Sequence, residues 1–289
     1  MTSSGLLRRI GLEAAPAGPS VEGLFAVQRA FVTSVPYESI QYQLGRGGPL
    51  DQQAVVERMI AREAGGYCFQ MNGALAWLLE ELGYRVTMHR GGVQTRSAPE
   101  PRVDSTHLVL TVDGLPDDPE RVWLVDAGLG DGFLEPMPLE VGTSRQTPYT
   151  FGLGASSITA GWRLEHDARS AIAGMDFEAA PARIGDFAEQ HAYLSTSVGS
   201  PFVRVASAFL RRPESVLALR SIEFVETSAD RVDTTRMETA AEYYELLADV
   251  FQLPLHHLDK GDREQLWGRV LEQYEAYQAR LAAADSGQA

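Results

Sequence analysis

The chain has very little cysteine: Cys68 stands alone among 289 residues. A single cysteine can form neither an internal disulfide nor a cysteine-rich zinc site, and such sparse use is typical of a reducing compartment. Long apolar runs are also lacking, since no stretch approaches the roughly 18 apolar residues of a membrane span. Residues 1–20 contain no apolar core of a secretory signal. We therefore expect a cytoplasmic protein without a membrane partner.

Positive charge is scarce as well. The chain carries 25 Lys and Arg against 39 Asp and Glu, a net charge of −14. A surface this acidic repels phosphate backbones, which argues against a nucleic-acid partner. An anionic ligand would have to bind where basic side chains or backbone N–H groups are gathered locally. The signatures GxSxG, HExxH, the P-loop and a GxGxxG after a strand are all missing, so the common hydrolase, zinc-protease and nucleotide-binding motifs are excluded. We expect no metal and no permanently bound cofactor.

The first part of the chain, residues 1–87, is predicted to be a helical domain. Apolar residues recur at helical spacing over residues 20–34, 51–63 and 68–83. Ser20 and Asp51 precede the first two of these segments and are good N-caps. The Gly-Gly pair before Cys68 separates the second helix from the third.

From Tyr84 the pattern changes to short runs bounded by turn residues, which are typical of strands. We expect residues 88–195 to form an antiparallel β-barrel and residues 196–289 an α/β lid domain. In the latter, FVRVASAFL and VLALRSIEFVE are predicted strands, and two helices follow them. The predicted fold class is therefore α+β.

Cys68 is the strongest candidate for chemistry. It follows Gly-Gly-Tyr and opens a predicted helix, where the helix dipole and unsatisfied N–H groups favour a thiolate. The glycines allow a sharp entry and a close approach of substrate to the backbone. The alternative is that Cys68 is a small buried apolar residue of the core.

His107 and Asp126 are the candidate partners of this thiol. His107 opens the predicted strand THLVLTV, and Asp126 ends WLVDAG on the next one. A hairpin between these strands would bring imidazole and carboxylate together, so that the base could take the thiol proton while the acid fixes its tautomer. The order Cys, His, Asp on helix, strand and strand is that of papain-like and transglutaminase-like cores. A histidine bonded only to backbone is the competing interpretation. For His166 and His191 the sequence suggests no carboxylate partner.

Several segments of the chain resemble the arylamine N-acetyltransferases. They are VPYES, GGYCFQMNG, THLVL, WLVDAGLGDG and YLSTSVGSPF, and they occur in family order from about residue 10 to 255. The resemblance implies a helical domain, a β-barrel and an α/β domain, with Cys68, His107 and Asp126 as the catalytic triad. It also implies that acetyl-CoA is a substrate.

The resemblance further implies a set of binding residues. Tyr37, Thr106, Leu129 and Phe202 match positions that line the acceptor pocket, and Gly128 and Gly130 match the turn near the coenzyme. From the residues alone, the GLGDG segment could admit a pyrophosphate or form a plain turn. Core packing is the alternative role for Tyr37 and Phe202.

Three departures from the family pattern lie near the predicted site. Ser39 stands where asparagine is usual, and Ala64 stands where a basic residue usually precedes Gly-Gly, with Arg62 as a candidate substitute. Leu129 replaces a usual phenylalanine, which predicts a wider pocket.

The leading functional prediction is an acyltransferase. It would move an acetyl or other acyl group from a coenzyme A thioester through a cysteine thioester to an arylamine or hydrazine nitrogen, in a ping-pong cycle. A second candidate is an amide synthase of secondary metabolism, which closes a macrolactam or amide from an acyl chain on a carrier protein. Carrier proteins are acidic, so the acidic surface of this chain would repel them. A cysteine hydrolase would use the same triad, and an inactive scaffold would keep the fold only for binding.

Overall fold

The predicted N-terminal helices are all present in the computed structural model, which describes residues 3–285, with side chains over 3–283. Residues 1–2 and 286–289, the outer ends of two predicted domains, lie outside this range. The helices are α1 (Ser3–Arg9), α2 (Val21–Ser34), α3 (Gln52–Arg62), α4 (Cys68–Glu81), α5 (Ala188–Thr196), α6 (Pro201–Arg204), α7 (Ala240–Glu245) and α8 (Lys260–Asp285), with 3-10 turns at Ile40–Leu44 and Ile184–Phe187 and a π-helical turn at Leu246–Val250.

The N-terminal helices begin where capping side chains are available. Ser20 Oγ accepts from Gly23 N at 3.1 Å, and Asp51 Oδ1 accepts from Ala54 N at 2.9 Å. Both caps satisfy N–H groups that have no partner within the helix. Helix α2 stops before Pro36, because a proline disfavours the helical conformation of the preceding residue.

Strands make up most of the middle of the chain. They are β1 (Tyr37–Glu38), β2 (Arg85–Thr95), β3 (His107–Asp113), β4 (Trp123–Val125), β5 (Met137–Pro138), β6 (Gly142–Gln146), β7 (Tyr149–Ala155), β8 (Gly161–Glu165), β9 (Ile172–Ala182), β10 (Ser207–Arg211), β11 (Val216–Arg220), β12 (Glu223–Thr227) and β13 (Val232–Arg236).

Eight of these strands form the predicted antiparallel barrel, in the order β5-β4-β3-β2-β9-β8-β7-β6. The two outer strands, β5 and β6, follow one another in the chain and leave the barrel open along one seam. A cavity of about 210 Å³ lies at this seam, between Met137, Val141 and Phe151. The barrel interior is filled by apolar side chains, so it is a packed core and not a channel.

The remaining strands form a five-stranded antiparallel sheet, in the order β1-β10-β11-β12-β13. Helices α7 and α8 cover one face of this sheet and build a second core with it. Strand β1 belongs to the predicted helical region, yet it pairs with β10, with Tyr37 opposite Phe209. The α+β fold class is confirmed, and the predicted domain boundaries stay predictions.

Two strand predictions in the last third of the chain are wrong in detail. The start of FVRVASAFL is helical, because Ser200 caps Phe202 N and Pro201 occupies the first helical turn, so the strand begins only at Ser207. The segment VLALRSIEFVE is two strands joined by a turn at Ser221, whose φ is 50°. None of the helices in residues 3–285 is long and apolar enough to cross a membrane.

Candidate active site

Cys68 is the first residue of α4 and lies at the bottom of a sharp backbone turn. The turn needs glycine, because a Cβ at Gly65 would lie 1.7 Å from Pro36 O, too close for any side chain. The thiol is 3% exposed, and Sγ donates to the Thr106 carbonyl at 3.4 Å. The sulfur is therefore fixed at the start of a helix and is largely closed to water.

His107 and Asp126 meet across the predicted hairpin. Strands β3 and β4 pair with Leu110 opposite Val125, which brings Asp126, the residue after β4, beside His107. His107 Nε2 lies 2.7 Å from Asp126 Oδ2, and both side chains are 1% exposed. The other ring nitrogen, Nδ1, is left for Cys68, with which His107 also interacts. The three predicted triad residues are thus brought together.

Asn72 is a fourth buried member of this cluster that sequence reasoning missed. Its amide Nδ2 donates to Asp126 Oδ2 at 3.0 Å and to Leu108 O at 2.6 Å, while Oδ1 accepts from Ala127 N at 2.7 Å. Asn72 stands four residues after Cys68 and therefore lies on the same face of α4. This four-residue spacing is the sequence signal that could have identified Asn72 as a neighbour of the site.

Asp126 is the most heavily bonded group of the site. Oδ2 accepts from His107 and Asn72, while Oδ1 accepts from Gly128 N at 2.6 Å and Leu129 N at 3.1 Å. Four donors compensate the burial of this carboxylate. The carboxylate thus orients the histidine and also fixes the start of the following loop.

The charge state of His107 follows from these contacts. Burial favours the neutral ring, but the Asp126 carboxylate outweighs burial and, together with the Cys68 sulfur, raises the pKa of His107 to about 10. The ring is therefore an imidazolium at neutral pH. A cationic ring can stabilise negative charge that develops on a neighbouring sulfur during a reaction.

We expect the raised pKa of His107 to appear as a pH-dependent stability. The ring binds its proton more tightly when folded, so its contribution to the free energy of unfolding is complete below the unfolded pKa of about 6.5 and is lost as pH rises through about 10. Denaturant unfolding of wild type and His107→Gln, from neutral pH to about pH 11, measures this. The stability difference should shrink at alkaline pH; a constant difference would contradict the assignment.

A buried arginine, Arg58, supports the turn before Cys68. Its Nη2 donates to Gly65 O at 2.5 Å, and its Nη1 lies 3.9 Å from Glu38 Oε1. The suggestion that Arg62 replaces the missing basic residue is wrong: Arg62 is exposed, whereas Arg58 lies one turn earlier on α3 and faces inward. The other departure, Ser39, joins β1 to β10 by accepting from Ser207 N at 3.1 Å.

Residues 128–132, called the wall segment from here on, pass beside Cys68. A Cβ at Gly128 would lie 2.9 Å from Cys68 Cα, so the wall segment touches Cys68 directly. A cavity beside it, lined by Leu129, Tyr37 and Phe209, has a volume of only about 10 Å³. Cys68 does not line this cavity, so the expectation that Leu129 widens the acceptor pocket stays a prediction.

The other predicted pocket residues also lie near Cys68. Thr106 contributes its carbonyl to the thiol, and its hydroxyl donates to Asp104 Oδ1 at 2.6 Å. Phe202 stacks on Tyr67, the residue before Cys68, at 4.7 Å and meets Tyr37 edge-on at 6.3 Å. Within residues 3–283, no group of three His, Cys, Asp or Glu side chains could hold a metal ion.

A barrel and a helix that together hold buried Cys, His and Asp side chains define a papain/transglutaminase-like enzyme core. A family model described as N-acetyltransferase matches residues 20–259. The chain therefore belongs to the N-acetyltransferase family, and it is an acyltransferase of the arylamine N-acetyltransferase type.

Known relatives cover nearly the whole chain. It is 29% identical over 278 residues to the arylamine N-acetyltransferase of Mycolicibacterium smegmatis, covering 94% of this chain and 99% of the relative. It is 25% identical to human arylamine N-acetyltransferase 1, covering 88% and 95%. The solved structure of the Mycobacterium marinum enzyme in complex with CoA superposes with a TM-score of 0.82 at 26% identity, covering 92% and 97%.

Proposed function

We propose that this protein transfers an acetyl group from acetyl-CoA to the nitrogen of an aromatic amine or hydrazine, through a thioester on Cys68. The contact of buried Cys68, His107 and Asp126 carries this proposal, because an imidazolium beside a cysteine creates a nucleophile able to accept an acyl group. The relatives support the substrates, since they are arylamine N-acetyltransferases and one of them binds CoA.

In the first half-reaction, the Cys68 thiolate attacks the acetyl carbonyl. The carbon–sulfur bond to coenzyme A breaks, and the departing sulfur takes the proton from His107. We assign the stabilisation of the developing oxyanion to the backbone N–H of Cys68, the first residue of α4, because the first N–H groups of a helix have no acceptor in a preceding turn. Cys68 then carries the acetyl group as a thioester, and His107 is neutral.

In the second half-reaction, the amine attacks that thioester. An aromatic amine is neutral at physiological pH, so its lone pair is available, and His107 takes the proton as the tetrahedral intermediate collapses. The acetyl–sulfur bond breaks, and the thiolate–imidazolium pair is restored. Asp126 keeps the ring oriented in both steps.

The positions around Cys68 support a set of proposed pocket roles. We assign Tyr37, Thr106, Leu129 and Phe202 to the acceptor, and the backbone of Gly128 and Gly130 to coenzyme A. Coenzyme A enters as a substrate and leaves after each first half-reaction. The cytoplasmic location stays a prediction.

The relatives support acetyl transfer over hydrolysis and over macrolactam closure. They are arylamine N-acetyltransferases, and one solved structure among them is a complex with CoA. We therefore rank the amide synthase and the hydrolase below acetyl transfer.

The expected intermediate can be tested by mass spectrometry. Incubation with acetyl-CoA should add one acetyl mass to Cys68, and an aromatic amine should remove it with formation of the N-acetyl product. Cys68→Ala should show neither event. An acetyl-enzyme that hydrolyses at the same rate with and without amine would overturn the transferase and favour the hydrolase. Absence of any adduct, with rapid alkylation of the thiol, would mean that the acyl donor is not acetyl-CoA.

A further inference from the structure

The wall segment is attached to the protein at both of its ends. Its first residues are held by the Asp126 carboxylate, which accepts from Gly128 N and Leu129 N. This attachment belongs to the catalytic cluster. The opposite end is held by a separate group of buried polar side chains that the proposed reaction does not use.

His166 and Ser170 hold Asp131 at that opposite end. Ser170 Oγ donates to Asp131 Oδ2 at 2.6 Å. His166 Nε2 lies 3.2 Å from the Asp131 carbonyl and 3.5 Å from Oδ1. The carboxyl partner of His166, which the sequence did not reveal, is therefore Asp131.

The surroundings leave this cluster little freedom. The His166 ring is met edge-on by Tyr149 and Phe151, at centroid distances of 5.1 and 4.8 Å. Next to Asp131, the carbonyl of Gly132 accepts from Arg211 Nε at 3.0 Å. His166, Ser170 and Arg211 thus hold the last two residues of the wall segment, and two rings of β7 pack against His166.

Asp131 is charged in this setting. Burial would favour the neutral acid, but the neighbouring His166 ring and the hydrogen bond from Ser170 together lower the pKa of the Asp131 carboxyl. A charged carboxylate that is 6% exposed depends on those partners, since an uncompensated buried charge is strongly unfavourable. Loss of one partner should therefore release Asp131 towards solvent and move the wall segment with it.

We propose that His166 and Asp131 are positioning residues for acceptor selectivity. By holding the end of the wall segment, they keep Leu129 and Gly130 against Tyr37 and Phe209, and so set the largest aromatic amine that reaches the Cys68 thioester. A Cβ added at Gly130 would lie 3.3 Å from Phe209 and 3.4 Å from Tyr37, so the wall segment packs closely against both rings. The inference rests on the proposed acetyl transfer and adds the element that determines its acceptor range.

The test compares two buried histidines of the same barrel. His166 and His89 are each 6% exposed, but His89 bonds to Thr111 Oγ1 and Ala180 O, on β3 and β9. For His166→Leu we expect the ratio of kcat/KM for a bulky aromatic amine to that for aniline to rise by about tenfold. His89→Leu should leave this ratio unchanged. His166→Gln keeps an N–H donor and should restore most of the wild-type ratio.

Hydrogen exchange of the ligand-free protein gives a readout that does not need activity. Amides of the wall segment should exchange at least about tenfold faster in His166→Leu, with α4 and β3 unchanged. Ser170→Ala is the milder variant should His166→Leu not fold, and its wall segment should also exchange faster.

The outcomes separate the two proposals. An unchanged ratio and unchanged exchange in the folded variants would overturn the positioning role, and so would an equal shift in His89→Leu. If wild type forms no acetyl-enzyme and no N-acetyl product, the proposed function is wrong. The exchange result alone then tests whether His166 and Asp131 position the wall segment.

Discussion

Replacing Cys68 by serine is expected to lower kcat/KM for acetyl transfer by about 10⁴- to 10⁶-fold, because the proposed reaction passes through this one sulfur. A serine hydroxyl is far less acidic than a thiol, and the imidazolium of His107 cannot create an alkoxide from it. The measurement is single-turnover formation of the N-acetyl product with each amine.

The control for this substitution is that the variant must fold like wild type. Serine is close to cysteine in size, so the buried site should keep its packing, and the variant should show the thermal unfolding and CoA binding of wild type. Activity within about a hundredfold of wild type would mean that the acetyl group moves directly between the substrates, and the ping-pong scheme would be abandoned.

Asp126→Asn is expected to lower kcat by roughly 10⁴-fold, as removal of the charge from a triad carboxylate does in related chemistry. The amide cannot satisfy its neighbours in either orientation. One orientation points NH₂ at Asn72 Nδ2, and the other points it at the N–H groups of Gly128 and Leu129. A donor then faces a donor inside the protein, and the His107 ring loses its counter-charge.

This effect can be distinguished from general destabilisation with a matched carboxylate. Asp176 is 1% exposed and accepts from Arg163 Nη1 and Ser156 Oγ at 2.7 and 2.8 Å within the barrel. Asp176→Asn should reduce stability but leave kcat of the folded enzyme near wild type. Asp126→Asn should in addition lower the pKa of His107, which an NMR titration of the ring would show. An unchanged ring pKa together with full activity would contradict the role of Asp126.

Local sequence patterns were sufficient for the main elements. The capped helices, the glycine-bounded turn before Cys68 and the hairpin that joins His107 to Asp126 depend on contacts close in the chain. The strand prediction at residues 201–204 is wrong because a serine followed by proline starts a helix there, although the apolar residues suggest a strand. The predicted triad follows from such local patterns together with one hairpin pairing.

Two of the missed assignments, the partner of His166 and the role of Arg58, depend on contacts that are distant in the chain. His166 lies 35 residues from Asp131, and only the barrel register brings them together. Arg58 and Arg62 are one helical turn apart on α3, and the burial that distinguishes them is set by the packing of Glu38 and the Gly65 turn. Asn72 was within reach of local reasoning, because it follows Cys68 by four residues on a helix.

The two oxygens of Asp126 have a consequence for how this enzyme can change over evolutionary time. One oxygen bonds His107 and the other bonds the start of the wall segment, so under the proposed function substitutions at Gly128 or Leu129 would act on reaction rate and acceptor choice together. Such substitutions should show epistasis with changes in the triad. The Asp131 end is free of that coupling. New acceptor preferences should therefore accumulate around residues 131, 166 and 170, where a lineage can explore substrates without loss of its chemistry.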